Sequence, residues 1–189
     1  MYHNRLNGEY EELVGIVHES KLLPYAGLIL TVCCVSIFAI RSYILEPCIK
    51  RFYGERYFGL DESQKRSFIN HWVAGGCKLV LVIGSCYPAL AVVSGAALLE
   101  SPFAGSKTVN LGDTLICTFQ LFTAMYIFEL FYRTKVSYIS AAHHIGAIII
   151  AQSATVLFLN TAHKDDAPLE FILCLLWGMS QVENSHDLI

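Results

Sequence analysis

The chain has 189 residues, of which 54% are hydrophobic and 15% charged, with a formal net charge of −3. Its mean hydropathy of +0.49 is far above that of an ordinary soluble domain. This composition predicts a membrane protein, and the lack of a basic stripe interleaved with aromatic residues argues against a nucleic-acid partner.

The first predicted span follows a polar tail. Residues 1–21 are acidic and lack the basic start and apolar core of a cleavable signal peptide. Residues 22–45 then form an apolar run whose only charge is Arg41. About 20 residues suffice to cross the hydrocarbon region as a helix. This run is therefore predicted to span the membrane and to serve as the chain's own anchor.

Three further full spans are predicted, at about residues 72–99, 113–132 and 138–160. A basic loop precedes the first of them, and the connector "RTKVS" joins the last two. Pro88 lies inside the second span, where it removes a backbone donor and predicts a kink.

The last apolar segment, residues 168–179, is too short for a full span. Twelve helical residues reach about 18 Å, against a hydrocarbon core of roughly 30 Å. We therefore expect a partial fifth span, re-entrant or interfacial, before a polar tail at residues 180–189. The predicted fold is an all-α polytopic transmembrane bundle whose single domain covers residues 22–179.

Lysine and arginine positions predict the orientation. If the first span runs from outside to inside, the cytosolic side collects nine basic residues and the other side four. The nine are Arg41, Lys50, Arg51, Arg56, Lys65, Arg66, Lys78, Arg133 and Lys135. Basic residues prefer the cytosolic side, so the N-terminus is predicted to lie outside or in the lumen.

The cysteines do not predict a metal site. The chain has seven, mostly in apolar segments, and no CxxC pair or Cys/His ligand spacing. We expect most of them to be small buried hydrophobic residues, and we predict no metal and no bound cofactor.

Two adjacent histidines, His143 and His144, are the most informative polar residues. They lie five to six residues inside the predicted fourth span, roughly 8 to 9 Å from its start at 1.5 Å per residue. Ionisable residues inside a span usually mark a functional site, although interhelical hydrogen bonding is the alternative.

Small and polar residues follow His144 on the same span. Ala147, Ala151 and Thr155 form a stripe that either lets a neighbouring helix approach or leaves room for a lipid tail, and Gln152 adds a polar group deeper in the span. We therefore name Ala147, Ala151 and Gln152 as candidate lipid-binding residues.

Glu129 and Arg133, near the end of the third span, are the remaining candidates for lipid binding. Their spacing of four, with the acid first, predicts an ion pair on one helix face. A buried carboxylate needs such a partner. The short connector makes the third and fourth spans antiparallel neighbours, so a cluster of Glu129 with both histidines is predicted near the cytosolic leaflet.

These residues carry a resemblance to a known family. "MYIFELFYRTKVSYISAAHHIGAIIIAQSA" followed by "APLEFILCLLWG" resembles the TLC domain, and is most similar to its fungal multi-pass members, over about residues 55–178. The most specific part is the His143–His144 pair after a basic connector, with Glu170 before a further apolar segment. The resemblance implies residence in the endoplasmic reticulum or a related membrane, and a role in lipid metabolism. Some members are ceramide synthases, which join the acyl group of acyl-CoA to a sphingoid-base amine, and others regulate or distribute lipids.

The sequence departs from the family in two places. In the ceramide synthase form, two aspartates spaced by three follow the histidines, whereas Asp165 and Asp166 are adjacent here. The aspartate pair therefore does not carry over, which counts against acyl transfer. The family also continues for one or two spans beyond Trp177, which implies a chain shortened at its C-terminus.

Three functions stay open. The first is binding or sensing of a membrane lipid, including sphingolipids, in lipid metabolism or homeostasis. The second is acyl-CoA-dependent N-acylation, in which one of the candidate catalytic residues His143 and His144 takes a proton from the amine and basic loop residues attract the CoA phosphates. The third is an inactive fragment or a subunit completed by a helix-packing partner chain or a second copy.

Overall fold

The computed structural model describes residues 20–159, with side chains as far as residue 156. The predicted partial fifth span at 168–179, Glu170, the two adjacent aspartates and the C-terminal tail lie outside these residues, as does nearly all of the polar tail at 1–21. Within the described part, the secondary structure is helical, and the only strand-like pairing is a bridge between Pro102 and Asn110. Four of its helical segments are long and apolar enough to cross a membrane, which confirms the all-α transmembrane bundle.

The first span, Leu23–Tyr53, is a composite of several helical segments. A 3-10 turn is followed by α1 and then by a π-helical segment that leads directly into α2. The bounds are Leu23–Tyr25 for the turn, Ala26–Ile40 for α1, Arg41–Leu45 for the π-helical segment and Glu46–Tyr53 for α2. The span thus extends beyond the predicted end at residue 45, because the polar residues after Leu45 continue the helix.

Four more α-helices follow: α3 at Glu55–Phe58, α4 at Glu62–Val93, α5 at Leu111–Tyr132 and α6 at Tyr138–Leu159, with a 3-10 turn at Phe103–Gly105 between α4 and α5. Helices α4, α5 and α6 are the second, third and fourth spans. Their polar connections place the end of the first span, the start of α4 and the end of α5 together. We call this the basic end of the bundle, because Arg41, Lys50, Lys65, Arg66 and Arg133 all lie there.

The second span occupies different residues from those predicted. Helix α4 runs from Glu62 to Val93 rather than over 72–99 and continues through Pro88. It starts early because of a capping box: Asp61 accepts from the Gln64 backbone N–H at 2.8 Å, and the Asp61 N–H donates to the Gln64 side chain at 3.0 Å. It ends early because Gly95, with φ of 70°, turns the chain out of the helix.

Helix α5 is the centre of the bundle and packs against α1, α4 and α6. In the most apolar stretch of α5, 61% of the residues are buried. The corresponding share is 28% for α6 and 17% each for the first span and α4. The outward faces of those three spans expose large apolar side chains such as Leu28, Leu79 and Ile149. Apolar outer faces around a buried central helix are the arrangement expected in lipid.

Candidate functional site

The centre of the candidate site is a pair of buried side chains on α5 and α6. Nε2 of His144 lies 3.1 Å from Oε2 of Glu129, and the two side chains are only 9% and 12% exposed. The antiparallel packing of α5 and α6 brings these residues to one depth, as the sequence predicted. A buried carboxylate is costly without such a partner, so this contact explains how Glu129 is tolerated within a span.

A third helix contributes Asn70, which the sequence analysis missed. Nδ2 of Asn70, on α4, donates to Oε1 of Glu129 at 3.4 Å. Asn70 is only 6% exposed. It was overlooked because the second span was expected to begin after it. The signal that could have placed it in the helix is the D-x-x-Q capping pattern at Asp61 and Gln64, nine and six residues upstream.

Two buried polar atoms of this cluster have no partner among the described residues. Oδ1 of Asn70 and Nδ1 of His144 are buried and make no hydrogen bond to any described residue. Buried polar atoms are nearly always paired in folded proteins. When the His144 ring is neutral, the bond to Glu129 assigns its proton to Nε2 and leaves a lone pair on Nδ1. With a neutral ring, the cluster therefore has two buried acceptors that a ligand or a water molecule can satisfy.

Tyr126 lies against both histidines. Its ring centroid is 4.8 Å from that of His144 and 6.1 Å from that of His143. His143 itself is half-buried, with its ring centroid 5.7 Å from that of His144. The structure thus brings both predicted histidines to one site, with His144 bonded to the carboxylate and His143 at the margin. The position of Tyr126, three residues before Glu129 on one helix face, is a signal that could have found it.

Arg133 is not part of this cluster. Helix α5 ends at Tyr132, and Arg133 has extended backbone angles of −75° and 133°. Its backbone N–H still donates to the Glu129 carbonyl at 3.3 Å, but its side chain forms no ion pair with Glu129 or any other described carboxylate. The predicted Glu129–Arg133 ion pair is therefore corrected: the i, i+4 rule applies only while the helix continues, and here it stops.

The small residues after His144 pack against α5. Ala147 and Ala151 are 3% and 1% exposed, in contact with large apolar side chains such as Met125 and Phe119. Of the two predicted roles for this stripe, close helix approach is the one the structure displays. An open lipid groove along Ala147 and Ala151 is absent from the described residues.

Gln152 takes part in the same contact. Its Nε2 donates to Oε1 of Gln120 and to Oγ1 of Thr123, both at 3.2 Å, and Nε2 of Gln120 donates to Oγ1 of Thr155 at 3.3 Å. These bonds join α5 and α6 about two turns deeper than His144. Gln152 is thus engaged by side chains of α5.

The described helices define a polytopic α-helical membrane protein with a buried carboxylate–imidazole pair where three of its spans meet. Among the described residues, no group of three or more His, Cys, Asp or Glu side chains is placed to hold a metal ion. Comparisons of the chain with protein-family models, with curated proteins and with solved structures found no match.

Proposed function

We propose that this chain is a TLC-like membrane protein that binds a lipid at the Glu129–His144–Asn70 cluster and acts in membrane lipid metabolism or homeostasis. The observation that carries the proposal is the buried, unpartnered Nδ1 of His144 beside a carboxylate. An orphaned acceptor at this depth is expensive unless a ligand or a water molecule supplies a donor.

The chemistry of the orphaned atoms narrows the class of lipid. With the His144 ring neutral, Nδ1 of His144 and Oδ1 of Asn70 are both acceptors, so the complementary group carries O–H or N–H donors. Hydroxyl, amide and amine groups fit this requirement, and sphingoid bases and ceramides carry them. A phosphodiester or a choline group offers no such donor. The sequence resemblance, which implies sphingolipid work in the endoplasmic reticulum, supports the same class.

A second function, acyl-CoA-dependent N-acylation, is favoured by one specific contact. The Glu129 carboxylate holds the His144 ring through Nε2, which leaves Nδ1 free to take a proton from an attacking amine. A carboxylate that orients a histidine base is a recurring catalytic arrangement. In this function the amine nitrogen bonds to the acyl carbon of acyl-CoA, the C–S bond breaks, and the proton taken by His144 passes to the CoA thiolate. Acyl-CoA is thus a substrate and not a bound cofactor.

Lipid retention tests the first function. The chain is purified in detergent with His144→Ala, and with His71→Ala as the matched control, because His71 is exposed on α4. Lipids that carry hydroxyl or amide donors are expected to co-purify with the wild type and the control, and to fall about tenfold in His144→Ala, the loss expected for one hydrogen bond in a dry site. Equal retention in both variants would overturn lipid binding at this cluster.

Acyl transfer to sphingoid bases separates the two functions. Membranes that lack endogenous ceramide synthases are supplied with the chain or with His143→Ala or His144→Ala at matched expression. Product formation that depends on His144 supports the enzyme. No product from a correctly inserted chain that retains lipid supports binding alone.

A further inference from the structure

The basic end of the bundle contains a cavity that the buried cluster does not use. It has a volume of about 230 Å³ and lies between the end of the first span, the start of α4 and Tyr132 at the end of α5. Its charged lining residues are Arg41, Lys50, Lys65, Arg66, Glu46 and Glu62. Residues from two spans thus bring four cations and two carboxylates together, which leaves a net charge of +2 (4 − 2).

The two carboxylates neutralise only part of this charge. Glu46 is shared, because its oxygens lie 2.8 Å from the Arg41 guanidinium and 3.0 Å from Lys50 Nζ. Glu62 pairs with Lys65 at 3.1 Å. Arg66 forms no ion pair with a described carboxylate, and its guanidinium lies 5.9 Å from the centroid of the Tyr132 ring.

Arg41 is held in place before any ligand arrives. Its Nε donates to the Tyr132 hydroxyl at 3.2 Å, and its guanidinium lies 4.8 Å from the centroid of that ring. Arg41 is also the first residue of the π-helical segment, and such wide turns frequently occur at functional sites. A fixed guanidinium loses less side-chain entropy when it binds an anion than a mobile one does.

We propose that this cavity binds a phosphate group at the membrane surface. Arginine and lysine together are the usual phosphate ligands, because the guanidinium donates two parallel hydrogen bonds and the ammonium adds a point charge. The cavity lies where the spans leave the apolar region, which is the level of lipid phosphates. A phosphate monoester on a lipid headgroup and a soluble phosphate share this chemistry. The site is separate from the acceptor cluster at His144 and does not depend on what that cluster binds.

The test compares two substitutions that remove the same charge. Arg66→Gln changes the cavity, whereas Arg51→Gln changes an exposed residue of α2 that does not line it. The intact chain is purified in detergent, and the binding of dioctanoyl phosphatidic acid, dioctanoyl phosphatidylcholine and inorganic phosphate is titrated. We expect phosphatidic acid to bind about tenfold more weakly to Arg66→Gln, the loss typical of a charge-assisted hydrogen bond, and equally well to wild type and Arg51→Gln.

A third variant gives a change of opposite sign. Glu46→Gln removes a carboxylate from the cavity, so phosphate binding is expected to tighten. Selective binding of phosphatidic acid that inorganic phosphate does not displace identifies a lipid as the source. Displacement by inorganic phosphate at similar concentrations identifies a soluble phosphate. Equal weakening by Arg66→Gln and Arg51→Gln, or no binding of either phosphate probe to the wild type, would overturn the site.

Discussion

The contact between Glu129 and His144 predicts a measurable energetic coupling across α5 and α6. Replacing Glu129 by Ala removes the partner of both His144 Nε2 and Asn70 Nδ2, because the carboxylate accepts from each of them. Replacing His144 by Ala leaves Glu129 with the 3.4 Å bond from Asn70. The first substitution is therefore expected to cost more hydrogen-bond energy than the second.

The size of the coupling follows from burial and from the membrane setting. A buried donor or acceptor without a partner costs about 1–3 kcal/mol. In membrane proteins, measured couplings between hydrogen-bonded side chains average about 0.6 kcal/mol and reach about 1.7 kcal/mol, since the unfolded chain also finds partners. With both side chains about nine-tenths buried, we expect a coupling near the upper value, about 1–2 kcal/mol.

A double-mutant cycle measures this coupling. The protein is held in mixed micelles and titrated with a denaturing detergent. The helical signal in circular dichroism then gives the free energy of unfolding. The control cycle pairs Glu129→Ala with His71→Ala, which is exposed and should be additive within about 0.5 kcal/mol. A Glu129–His144 coupling no larger than the control value would refute the pairing.

Two further predictions concern the packing of α5. A Cβ at Gly84 would lie 2.9 Å from Cγ2 of Thr118, whereas a Cβ at Gly76 would have nothing within 4 Å. Gly84→Ala is therefore expected to lower the free energy of unfolding by about 1–3 kcal/mol relative to Gly76→Ala, and equal stabilities would contradict the close approach. Asp113 is 3% exposed and accepts from the hydroxyl and backbone groups of the segment before α1 and from its own helix cap. Asp113→Ala is expected to lower the free energy of unfolding by about 2–3 kcal/mol in the same measurement. The control Glu100→Ala, at an exposed residue, is expected to lower it by less than about 0.5 kcal/mol. A small decrease for both variants would show that the hydrogen bonds of Asp113 contribute little stability.

Much of the fold could be predicted from the sequence, because the lengths of apolar runs are a direct consequence of bilayer thickness. The third and fourth spans were predicted within two residues of the observed helix bounds over the described part. The predicted bounds of the second span were wrong because hydropathy detects only the apolar part of a helix. The first turns of α4 are polar, and their start is set by the side chains of Asp61 and Gln64 rather than by hydropathy.

The candidate site was predictable in part for a similar reason. Antiparallel neighbours joined by a short connector must place Glu129 near His144, so the sequence predicted their proximity. The loss of Arg133 from the site depends on where α5 ends, and the helix end was not readable from spacing alone. Asn70 and the cavity at the basic end require the packing of α4 against α5 and the first span, which no local pattern specifies.

The sequence left open whether the intramembrane histidines join helices or serve a function, and two polar contacts of α5 differ in a way that bears on this choice. The contacts of Gln152 with Gln120 and Thr123 leave no orphaned buried atom within the described chain, so helix association alone explains them. The cluster at Glu129 also joins helices, yet Nδ1 of His144 and Oδ1 of Asn70 stay buried without a partner in the described chain. A purely structural contact would be expected to satisfy those atoms or to use apolar residues instead. The described part of the bundle contains both arrangements, and the buried polar atoms without a partner there belong to the one nearer the basic end.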